Sequence, residues 1–475
     1  MTSLGSLLAA AGVDANLSPE QAAVPVSTVE LDSRRCRAGS VFVCVPGTTT
    51  SGDAFVDDAL ARGAVCVVAA TEPRAPILVR VSPEAIRGTL ASLSSAIVGD
   101  PASELSLTGV TGTNGKTTVA WLVQGILSEA GYAAASIGTL SGQRTTPAPP
   151  DLHRELREIA DRATATGRPG AVAMEVSSHA LDQGRVDGLR FDVAVFTNLS
   201  HEHLDYHGTM DAYFEAKAGL FEPARAAAAV VCVDDEWGRR LAARHAVPTV
   251  EVSSSDASSV EVGLGRTSFR WRDHPVTTGL TGHVNVIDSL LALSAASVLG
   301  VDDAEAAIAL SLVPPVPGRL EAVGSGAPRV LVDYAHTPAA LQQVLGDLRA
   351  LDPSARLIVV FGCGGDRDAD KRPEMGRVAS ELADEVIVTS DNPRSEDPEA
   401  ILDAIVAGAT GPARLRRQID RVAAIAEAIE SASSDDVVLI AGKGHETAQE
   451  IAGTLVPLDD REVAGAALSA KGLSC

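Results

Sequence analysis

The stretch "LSLTGVTGTNGKTT", residues 105–118, decides the fold class of this 475-residue chain. An apolar run leads into a loop of glycines, small hydroxyl residues and Lys116. This pattern predicts a strand, a phosphate-binding loop and a helix, because small residues let backbone N–H groups point inward while the helix presents its positive end. The strict pattern has a glycine where this chain has Val110, and here the glycines are Gly109 and Gly112. We therefore predict a variant phosphate loop rather than an ordinary strand–loop–helix turn.

Short apolar runs alternate with Ala- and Leu-rich runs along the rest of the chain. Such strands between helices are typical of parallel sheets covered on both faces, with ligands beyond the carboxyl ends of the strands. Breaks at "VGDPASELSL" and "LVPPVPGR" predict three α/β domains, residues 1–100, 101–315 and 316–475. "SSSDASS" at 253–259 is predicted to be a polar loop. The predicted strands are "SVFVCV", "AVCVVAA", "AVAMEV", "DVAVFTN", "AAVVCV", "RLIVVFG", "DEVIVTSD" and "DDVVLIAG".

Composition narrows the partners and the compartment. The net charge of −23 repels nucleic acid and anionic membranes, and 3% aromatic residues are too few for base-stacking platforms. The N-terminal stretch has no basic residue ahead of its apolar centre, so Leu4, Leu7 and Leu8 are expected on a small amphipathic helix rather than in a signal peptide. Scattered cysteines without a CxxC pair predict reduced core thiols and a cytoplasmic protein. They are Cys36, Cys44, Cys66, Cys232, Cys363 and Cys475.

Several side chains after the phosphate loop are candidate metal ligands. Glu175 ends the predicted strand "AVAMEV", where a carboxylate can support Mg²⁺ beside a phosphate loop; a capping or surface role fits equally well. "FTNLSHEHLDYHGTM" contains His201, His203, Asp205 and His207, and it misses the zinc-hydrolase pattern HxHxDH by one position. We favour one imidazole beside Mg²⁺, with loop hydrogen bonds for His201 and His207, and keep a zinc site as the alternative.

A lysine lies at the centre of an apolar helical stripe. In "DAYFEAKAGLF", Lys217 shares one predicted helix face with Tyr213, Phe214, Leu220 and Phe221. A side chain that reaches to the surface is the common interpretation. Burial would instead lower the lysine pKa and make the amine nucleophilic enough to add CO₂. The carbamate so formed is an anion that could hold a second Mg²⁺.

A series of segments, in this order, resembles the Mur ligases of peptidoglycan synthesis. They are "TGTNGKTT", "MEVSSHAL", "FTNLS…HLDYHGTM", "YFEAKAGLF", "PGRLE", "DYAHTP", "FGCGGDRD..KRPEM", "DNPR", "GKGHE" and "DDRE". The resemblance covers essentially the whole chain, although Gly-Thr-Asn-Gly-Lys-Thr alone would also admit folylpolyglutamate synthetases. It implies a central P-loop-type mononucleotide-binding domain between an N-terminal uridine-binding α/β domain and a C-terminal Rossmann-like domain. It also implies ATP, Mg²⁺ and a monomer.

The resemblance further implies that ATP phosphorylates a carboxylate of UDP-N-acetylmuramoyl-L-alanyl-D-glutamate and that an amine then displaces the phosphate. Catalysis would be mostly positioning and charge neutralisation. Lys116 would hold phosphate; Thr117, Glu175, His203 and Lys217, as a carbamate, would be the metal ligands. The implied ATP contacts are Gly112, Thr113, Asn114, Gly115, Lys116, Thr117, Thr118, Asn285, Arg319 and Asp333. The implied UDP-muramoyl-dipeptide contacts are Ser33, Thr145, Thr146, Ser177, Gln183 and Arg185.

"DNPR", residues 391–394, resembles the family's mark of diaminopimelate as the amino acid added. Arg394 could pair with the distal carboxylate, and Asp391 and Glu446 could accept from the distal ammonium. Lysine lacks that carboxylate and would leave Arg394 unpaired, an error that discriminates by roughly 10⁴ or more. An Asn-Pro turn with a surface salt bridge is the plain alternative. The other implied contacts are Asn392, Pro393, Arg367 for the second carboxylate, and Gly442.

Two positions depart from the family pattern, and other functions stay open. Glu202 stands where Asp is usual, and Asp288 where Asn is usual, which puts one metal ligand and one adenine or backbone contact in doubt. The departures leave room for a paralogue that adds another diamino acid. A zinc hydrolase and a nucleotide-gated binding protein are the alternatives from other classes. A ligase that adds D-Ala-D-Ala or glutamate conflicts with "DNPR". Domains that carry different parts of one site are expected to close together.

Overall fold

A computed structural model describes residues 2–47, 50–142, 144–324 and 326–473. The chain divides into two compact units, Met1–Asp256 with Ile287–Ala309 and Ala257–Val286 with Leu310–Cys475. Every apolar run that the sequence predicts as a strand forms one, and the three largest sheets are wholly or mainly parallel. The α/β prediction is therefore confirmed.

The N-terminal region forms a small parallel sheet flanked by helices. Its elements are β1 (Thr2–Ser3), α1 (Leu4–Ala10), α2 (Pro19–Ala22), β2 (Pro25–Val26), β3 (Thr28–Glu30), β4 (Ser40–Val43), α3 (Val56–Ala61), β5 (Ala64–Ala69), β6 (Leu78–Arg80) and α4 (Ile86–Ile97). Strands pair in the order β3-β4-β5-β6, all parallel. The predicted amphipathic helix is confirmed as α1, whose Leu4, Leu7 and Leu8 enter the core.

The next region carries the phosphate loop on a six-stranded parallel sheet. Its elements are β7 (Leu105–Thr111), α5 (Lys116–Glu129), β8 (Ala133–Ile137), α6 (Pro149–Thr166), β9 (Gly170–Glu175), α7 (Ser178–Asp182), β10 (Phe191–Phe196), α8 (Leu204–His207), α9 (Met210–Ala218), β11 (Ala226–Cys232), α10 (Glu236–Ala242) and β12 (Thr249–Val252). The order is β12-β11-β10-β7-β9-β8. Strand β7 lies between β10 and β9, so the phosphate loop leaves the middle of the sheet at its carboxyl edge.

A three-stranded antiparallel sheet and two helices follow. They are β13 (Ala257–Gly263), β14 (Arg266–Trp271), β15 (His274–Thr278), α11 (Val284–Val298) and α12 (Asp303–Leu312). The prediction of a loop across residues 253–259 is wrong in its second half, because β13 begins at Ala257. Pairing with β14 supplies hydrogen bonds that override the weak strand propensity of serine.

The C-terminal region is a six-stranded sheet with helices on both faces. Its elements are β16 (Glu321–Val323), β17 (Arg329–Asp333), α13 (Pro338–Leu351), β18 (Leu357–Phe361), α14 (Lys371–Leu382), β19 (Glu385–Val388), α15 (Pro398–Gly408), β20 (Arg414–Arg417), α16 (Arg421–Ser431), β21 (Val437–Ala441), β22 (Ala448–Ile451), β23 (Thr454–Pro457) and α17 (Asp460–Ala470). The order is β16-β17-β21-β18-β19-β20, with only β16 antiparallel among the described strands of this sheet. Val359 and Leu439 belong to one apolar layer and Val360 and Ile440 to the other, which explains the continuous apolar runs.

Cysteine placement agrees with the sequence where the structure describes it. Cys36, Cys44, Cys66, Cys232 and Cys363 are buried and free, and Cys475 lies outside the described residues. Burial raises the pKa of Cys66 to about 12, so this thiol stays protonated. Among the described residues, no helix combines the length and apolar character needed to cross a membrane.

Candidate active site

The phosphate loop is a tight turn between β7 and the first residue of α5. Gly112 has φ 148°, and a Cβ added there would lie 1.9 Å from Thr197 Oγ1, so only glycine fits without rearrangement. Gly115 precedes α5 in the left-handed conformation, with φ 83°. The helix therefore starts at Lys116 and directs its first N–H groups toward the loop, where they can bind phosphate oxygens.

Two lysines converge on the backbone of this loop. Lys116 Nζ donates to Gly112 O at 3.0 Å and to Thr113 O at 2.7 Å, and Lys217 Nζ donates to the same Gly112 O at 2.7 Å. Lys217 is 1% exposed and lies over the Tyr213 ring at 4.6 Å. Burial, followed by the nearby charge of Lys116, lowers the Lys217 pKa well below its ordinary value. The predicted desolvated lysine is therefore confirmed, whereas its carbamylation stays a prediction.

The carboxylate that the sequence places at the end of β9 faces the phosphate-loop helix. Glu175 is 2% exposed and accepts from Thr139 N at 2.8 Å and from Thr139 Oγ1 at 3.3 Å. Thr117, Gly138 and Glu175 line one small cavity. A hydroxyl and a carboxylate there are oxygen donors of the kind that Mg²⁺ prefers, so these residues fit the predicted metal.

The histidine cluster includes a member that sequence reasoning missed. His179 lies with its ring centroid 4.8 Å from that of His203 and 5.5 Å from that of His207. His207 Nε2 is 3.0 Å from Ser178 Oγ, as expected for a loop hydrogen bond, and burial lowers the pKa of His179 and His207. "SSHAL" was the available signal, but only the fold brings it beside "HLDYH".

His203 is exposed, and the described residues around it form no zinc site. His203 has φ 56°, its side chain is 44% exposed, and its Nε2 lies 3.8 Å from Glu202 Oε2. Within the part of the chain that the structure describes, no three His, Cys, Asp or Glu side chains are arranged to hold a metal ion. The zinc-hydrolase alternative therefore has no support there, and an imidazole contribution to Mg²⁺ stays a prediction.

Four of the predicted muramoyl-dipeptide contacts form one hydrogen-bonded network. Thr146 Oγ1 donates to Glu175 O at 2.9 Å and accepts from Ser177 N at 3.1 Å. Arg185 donates from Nη1 to Thr146 O at 2.8 Å and from Nη2 to Gln183 Oε1 at 2.7 Å. These bonds fix the guanidinium beside the end of β9, next to the phosphate loop.

Other contacts surround this network. Thr145 reaches it through Thr139, with the two hydroxyl oxygens 3.3 Å apart. Ser33 is buried in a short 3₁₀ turn, whose Arg35 pairs with Asp151 on α6 at 2.7 Å. Sequence reasoning missed Arg87, which donates to Gln183 O at 3.2 Å and to Pro46 O at 3.0 Å. It also missed Arg144, whose charge acts on Arg185.

Two basic side chains, Arg144 and Arg87, lie close enough to Arg185 for their charges to act on it. Burial lowers the Arg185 pKa, and the charges of Arg144 and Arg87 add to this effect. Of these three arginines, the sequence analysis identified only Arg185.

The predicted nucleotide contacts of the second unit are held in place by their neighbours. Asn285 Nδ2 donates to Thr281 O at 2.6 Å. Asp333 accepts from Leu320 N at 2.8 Å and from Ala335 N at 2.7 Å, and burial raises its pKa.

Arg319, the remaining predicted nucleotide contact of the second unit, lies against an aromatic ring. The Arg319 guanidinium stacks 4.6 Å from the Tyr334 ring. Asp288, which stands where Asn is usual in the family, belongs to the first unit and lies beside the phosphate loop. A Cβ on Gly115 would lie 2.5 Å from Asp288 Oδ1.

The "DNPR" segment follows β19 at the carboxyl edge of the C-terminal sheet. Arg394 donates from Nε to Glu450 Oε2 at 3.1 Å and from Nη1 to Gly365 O at 2.7 Å. Its Nη2 forms no hydrogen bond with any described residue. A Cβ on Gly364 would lie 3.0 Å from Arg394 Nη1 and 3.8 Å from Arg367 Cγ, so the two arginines flank this glycine. Arg367 itself is exposed.

The adjacent polar residues are tied together by a lysine that sequence reasoning missed. Lys443, from "GKGHE", is fully buried and donates to Glu446 Oε2 at 2.8 Å and to Asn392 Oδ1 at 3.1 Å. Asn392 Nδ2 also donates to Glu446 Oε2 at 2.8 Å. Burial acts to raise the Glu446 pKa, but these hydrogen bonds outweigh it and the pKa lies below its usual value. Glu446 therefore carries its charge at neutral pH.

Gly442 and Asp391 lie close together at the same edge. Gly442 has φ 113°, and a Cβ there would lie 2.7 Å from Asp391 Oδ2, so glycine is needed for this approach. Asp391 also accepts from Asn392 N at 2.7 Å. Two carboxylates, Asp391 and Glu446, thus border the turn that begins with Asn392.

The phosphate loop at the edge of a parallel sheet defines a nucleotide-binding α/β protein with a second polar site on another sheet. The sequence matches the descriptions "Mur ligase family, catalytic domain" at residues 25–106, "Mur ligase middle domain" at 110–296 and "Mur ligase, glutamate ligase domain" at 318–444. The chain belongs to the Mur ligase family, and the predicted three-domain architecture is confirmed.

Similar proteins extend over nearly the full length of the chain. The UDP-N-acetylmuramoyl-L-alanyl-D-glutamate–2,6-diaminopimelate ligase of Synechococcus elongatus is 42% identical, covering 98% of this chain and 99% of that protein. The protein of the same name from Streptomyces coelicolor is 43% identical, covering 92% and 91%. A solved structure of a ligase with this name matches with a TM-score of 0.68 at 32% identity, covering 100% of both chains.

Proposed function

We propose that this chain is the ATP-dependent ligase that adds diaminopimelate to UDP-N-acetylmuramoyl-L-alanyl-D-glutamate in peptidoglycan precursor synthesis. The observation that carries the proposal is the polar site after β19, where Arg394 and two carboxylates suit an amino acid with a charged carboxylate and a charged ammonium at its far end. Full-length similarity to ligases of that name supports the same substrate.

The reaction proceeds in two steps. The γ-phosphoryl group of ATP moves to a substrate carboxylate oxygen, so ADP leaves and an acyl phosphate forms. The amine nitrogen of diaminopimelate then attacks the acyl carbon, and the tetrahedral intermediate expels phosphate while the nitrogen loses a proton. Phosphorylation is needed because a free carboxylate has no leaving group that an amine can displace.

The first unit supplies charge neutralisation for the phosphoryl transfer. Backbone N–H groups at the start of α5 and the Lys116 ammonium bind the phosphate oxygens. Thr117 and Glu175 would hold Mg²⁺, which spreads the negative charge of the transferring group. His203 and Lys217, once carbamylated, would complete the proposed metal ligands. The Thr146–Arg185 network positions the muramoyl dipeptide with its acid directed toward the phosphate loop.

The second unit chooses the amino acid. The distal carboxylate of diaminopimelate pairs with Arg394, and Asp391 and Glu446 accept from its ammonium. Arg367, exposed on the other side of Gly364, binds the second carboxylate. Lysine in this site would leave Arg394 without its carboxylate partner and would be rejected.

The organisation of the protein is proposed on the same basis. Domain boundaries lie near residues 100 and 315, at the breaks in the α/β alternation. The chain acts in the cytoplasm as a monomer, without nucleic acid. Its domains close on ATP and substrate so that both sites contribute to one reaction.

An amino-acid screen tests the proposed function. Purified protein with Mg²⁺, ATP and UDP-muramoyl dipeptide should release phosphate and lengthen the muramyl peptide when diaminopimelate is added. Lysine, ornithine, glutamate and D-Ala-D-Ala are the comparison substrates. Turnover with a different diamino acid would assign the chain to a paralogue of that specificity, and absence of product with every amino acid would leave a nucleotide-binding protein without ligase activity.

Replacing Lys443 by Met should weaken diaminopimelate binding. The change removes the buried cation that holds Glu446 and Asn392, so we expect the KM for diaminopimelate to rise roughly tenfold, the scale of a lost charged hydrogen bond. Lys471→Met is the control, because Lys471 bonds a backbone carbonyl, Ile429 O, at 2.8 Å elsewhere in the same unit. Equal KM values for diaminopimelate in Lys443→Met and Lys471→Met would contradict the role given to Lys443.

A further inference from the structure

A fully buried ion pair lies next to the proposed amino-acid site. Arg421, the first residue of α16, and Asp460, the first residue of α17, are both 0% exposed at their side chains. Arg421 Nε donates to Asp460 Oδ1 at 2.8 Å, and its Nη2 donates to Asp460 Oδ2 at 2.7 Å. This bidentate geometry leaves the other guanidinium N–H groups for further bonds.

Those further bonds end on two strands of the sheet. Arg421 Nη2 donates to Ala441 O at 3.0 Å, and Nη1 donates to Ser390 O at 3.3 Å. Ala441 ends β21 immediately before Gly442, and Ser390 immediately precedes Asp391. Strands β21 and β19 are not neighbours, because β18 lies between them. One guanidinium therefore spans the middle strand and connects the two turns that carry the proposed diaminopimelate contacts.

The charge of Arg421 acts at the same place. Both Asp391 and Glu446 interact electrostatically with its guanidinium, in addition to its partner Asp460. The fixed guanidinium attracts both carboxylates, which are the acceptors proposed for the ammonium group of the amino acid.

We propose that Arg421, held by Asp460, is a positioning residue that sets the spacing between Asp391 and Gly442 and thereby the selection of the incoming amino acid. The inference rests on the proposed function, which names that amino acid. Arg421 does not contact the substrate. It acts through the carbonyl groups of Ser390 and Ala441.

A second ion-pair arrangement at the opposite edge of the sheet provides a matched control. Arg356 bonds Asp436, just before β21, at 3.3 Å and also pairs with Glu385 at the start of β19. It thus bridges the amino ends of the same two strands, and Glu385 is 1% exposed. A variant at Arg356 should affect sheet stability without moving the site.

The test compares Arg421→Lys, Asp460→Asn and Arg356→Lys in the full-length protein. We expect the first two variants to raise the KM for diaminopimelate about tenfold or more. A lysine cannot form the two parallel N–H bonds of the Arg421 guanidinium, and a neutral asparagine cannot balance the guanidinium charge. The KM for ATP and the KM for the muramoyl dipeptide should stay within about threefold of wild type. Arg356→Lys should lower the melting temperature and leave all three KM values unchanged. If Arg421→Lys does not fold, Asp460→Asn decides.

The outcomes separate this inference from the proposed function. Equal rises of all KM values in the Arg421 and Asp460 variants, or a diaminopimelate effect in Arg356→Lys, would show a purely structural ion pair and overturn the inference. Wild-type protein that accepts a different amino acid refutes the proposed substrate, and the same variants are then measured with the accepted one. Wild-type protein that ligates no amino acid refutes both.

Discussion

Arg394→Ala should raise the KM for diaminopimelate by roughly 10³-fold, with a change of less than about threefold in the KM for ATP. In this variant the distal carboxylate of diaminopimelate would lose its hydration on binding without gaining the Arg394 guanidinium as a partner. Arg394→Lys should be intermediate, because an ammonium supplies charge but not two parallel N–H bonds. Steady-state kinetics with each substrate varied in turn measure the effect.

The structure explains why this arginine has so large an expected effect. Glu450 and Gly365 O hold its Nε and Nη1 and fix the plane of the guanidinium, while Nη2 has no partner among the described residues. The backbone at Arg394 is also fixed, since its N donates to Glu450 O at 3.0 Å and its O accepts from Ala452 N at 2.7 Å. A rigid donor loses little entropy on binding, so most of the interaction appears as affinity.

Arg417→Ala is the control for the Arg394 variants. Arg417 pairs with Glu399 at 2.6 Å and with Asp403 at 2.7 Å in the same unit, on the surface and 41% exposed. Its loss should cost little, as is usual for surface ion pairs. A diaminopimelate KM that is unchanged in Arg394→Ala would contradict the assignment of the distal carboxylate to this residue.

Lys217→Met should lower kcat by roughly 10³-fold, the scale of one lost electrostatic contact to a transition state. Methionine fills a similar volume, so the apolar packing around Tyr213 and Phe214 is kept while the amine is removed. Incubation of wild-type protein with ¹³CO₂ should give a carbamate signal in the NMR spectrum that Lys217→Met lacks. Arg240→Met is the control, because Arg240 lies over the Phe214 ring at 4.6 Å but is far more exposed.

The lowered Lys217 pKa also predicts a pH dependence of stability. In the unfolded chain this amine binds a proton below its ordinary value of 10.5, whereas the folded protein keeps it neutral down to a lower pH. Between the two pKa values the unfolded state holds more protons, so the free energy of unfolding of wild type rises with pH. Lys217→Met should therefore be the more stable protein at neutral pH, with an advantage that shrinks as the pH approaches 10.5. An advantage independent of pH would contradict the burial of an uncharged amine.

Local sequence determined the elements and the chemistry that each segment carries by itself. The apolar runs form the strands of parallel sheets, and Gly112 and Gly115 form the phosphate loop. Both features follow from neighbouring residues, because an apolar run and a glycine that permits positive φ can be identified in a short segment. The stripe around Lys217 correctly indicated a buried lysine, since helical spacing fixes which residues share a face. These features depend on residues close together in the chain.

Only the tertiary structure decided which distant residues meet. Lys443 reaches Asn392 across 51 positions, and Arg421 reaches Asp460 across 39, so no local pattern reveals either pair. His179 joins His203 through ring contact rather than through spacing, and β13 forms where serines suggested a loop, because pairing with β14 supplies its hydrogen bonds. The sequence alone named the candidate groups for the chemistry. Long-range packing, which has no short-range signature, determined the contacts of the buried cations Lys443 and Arg421.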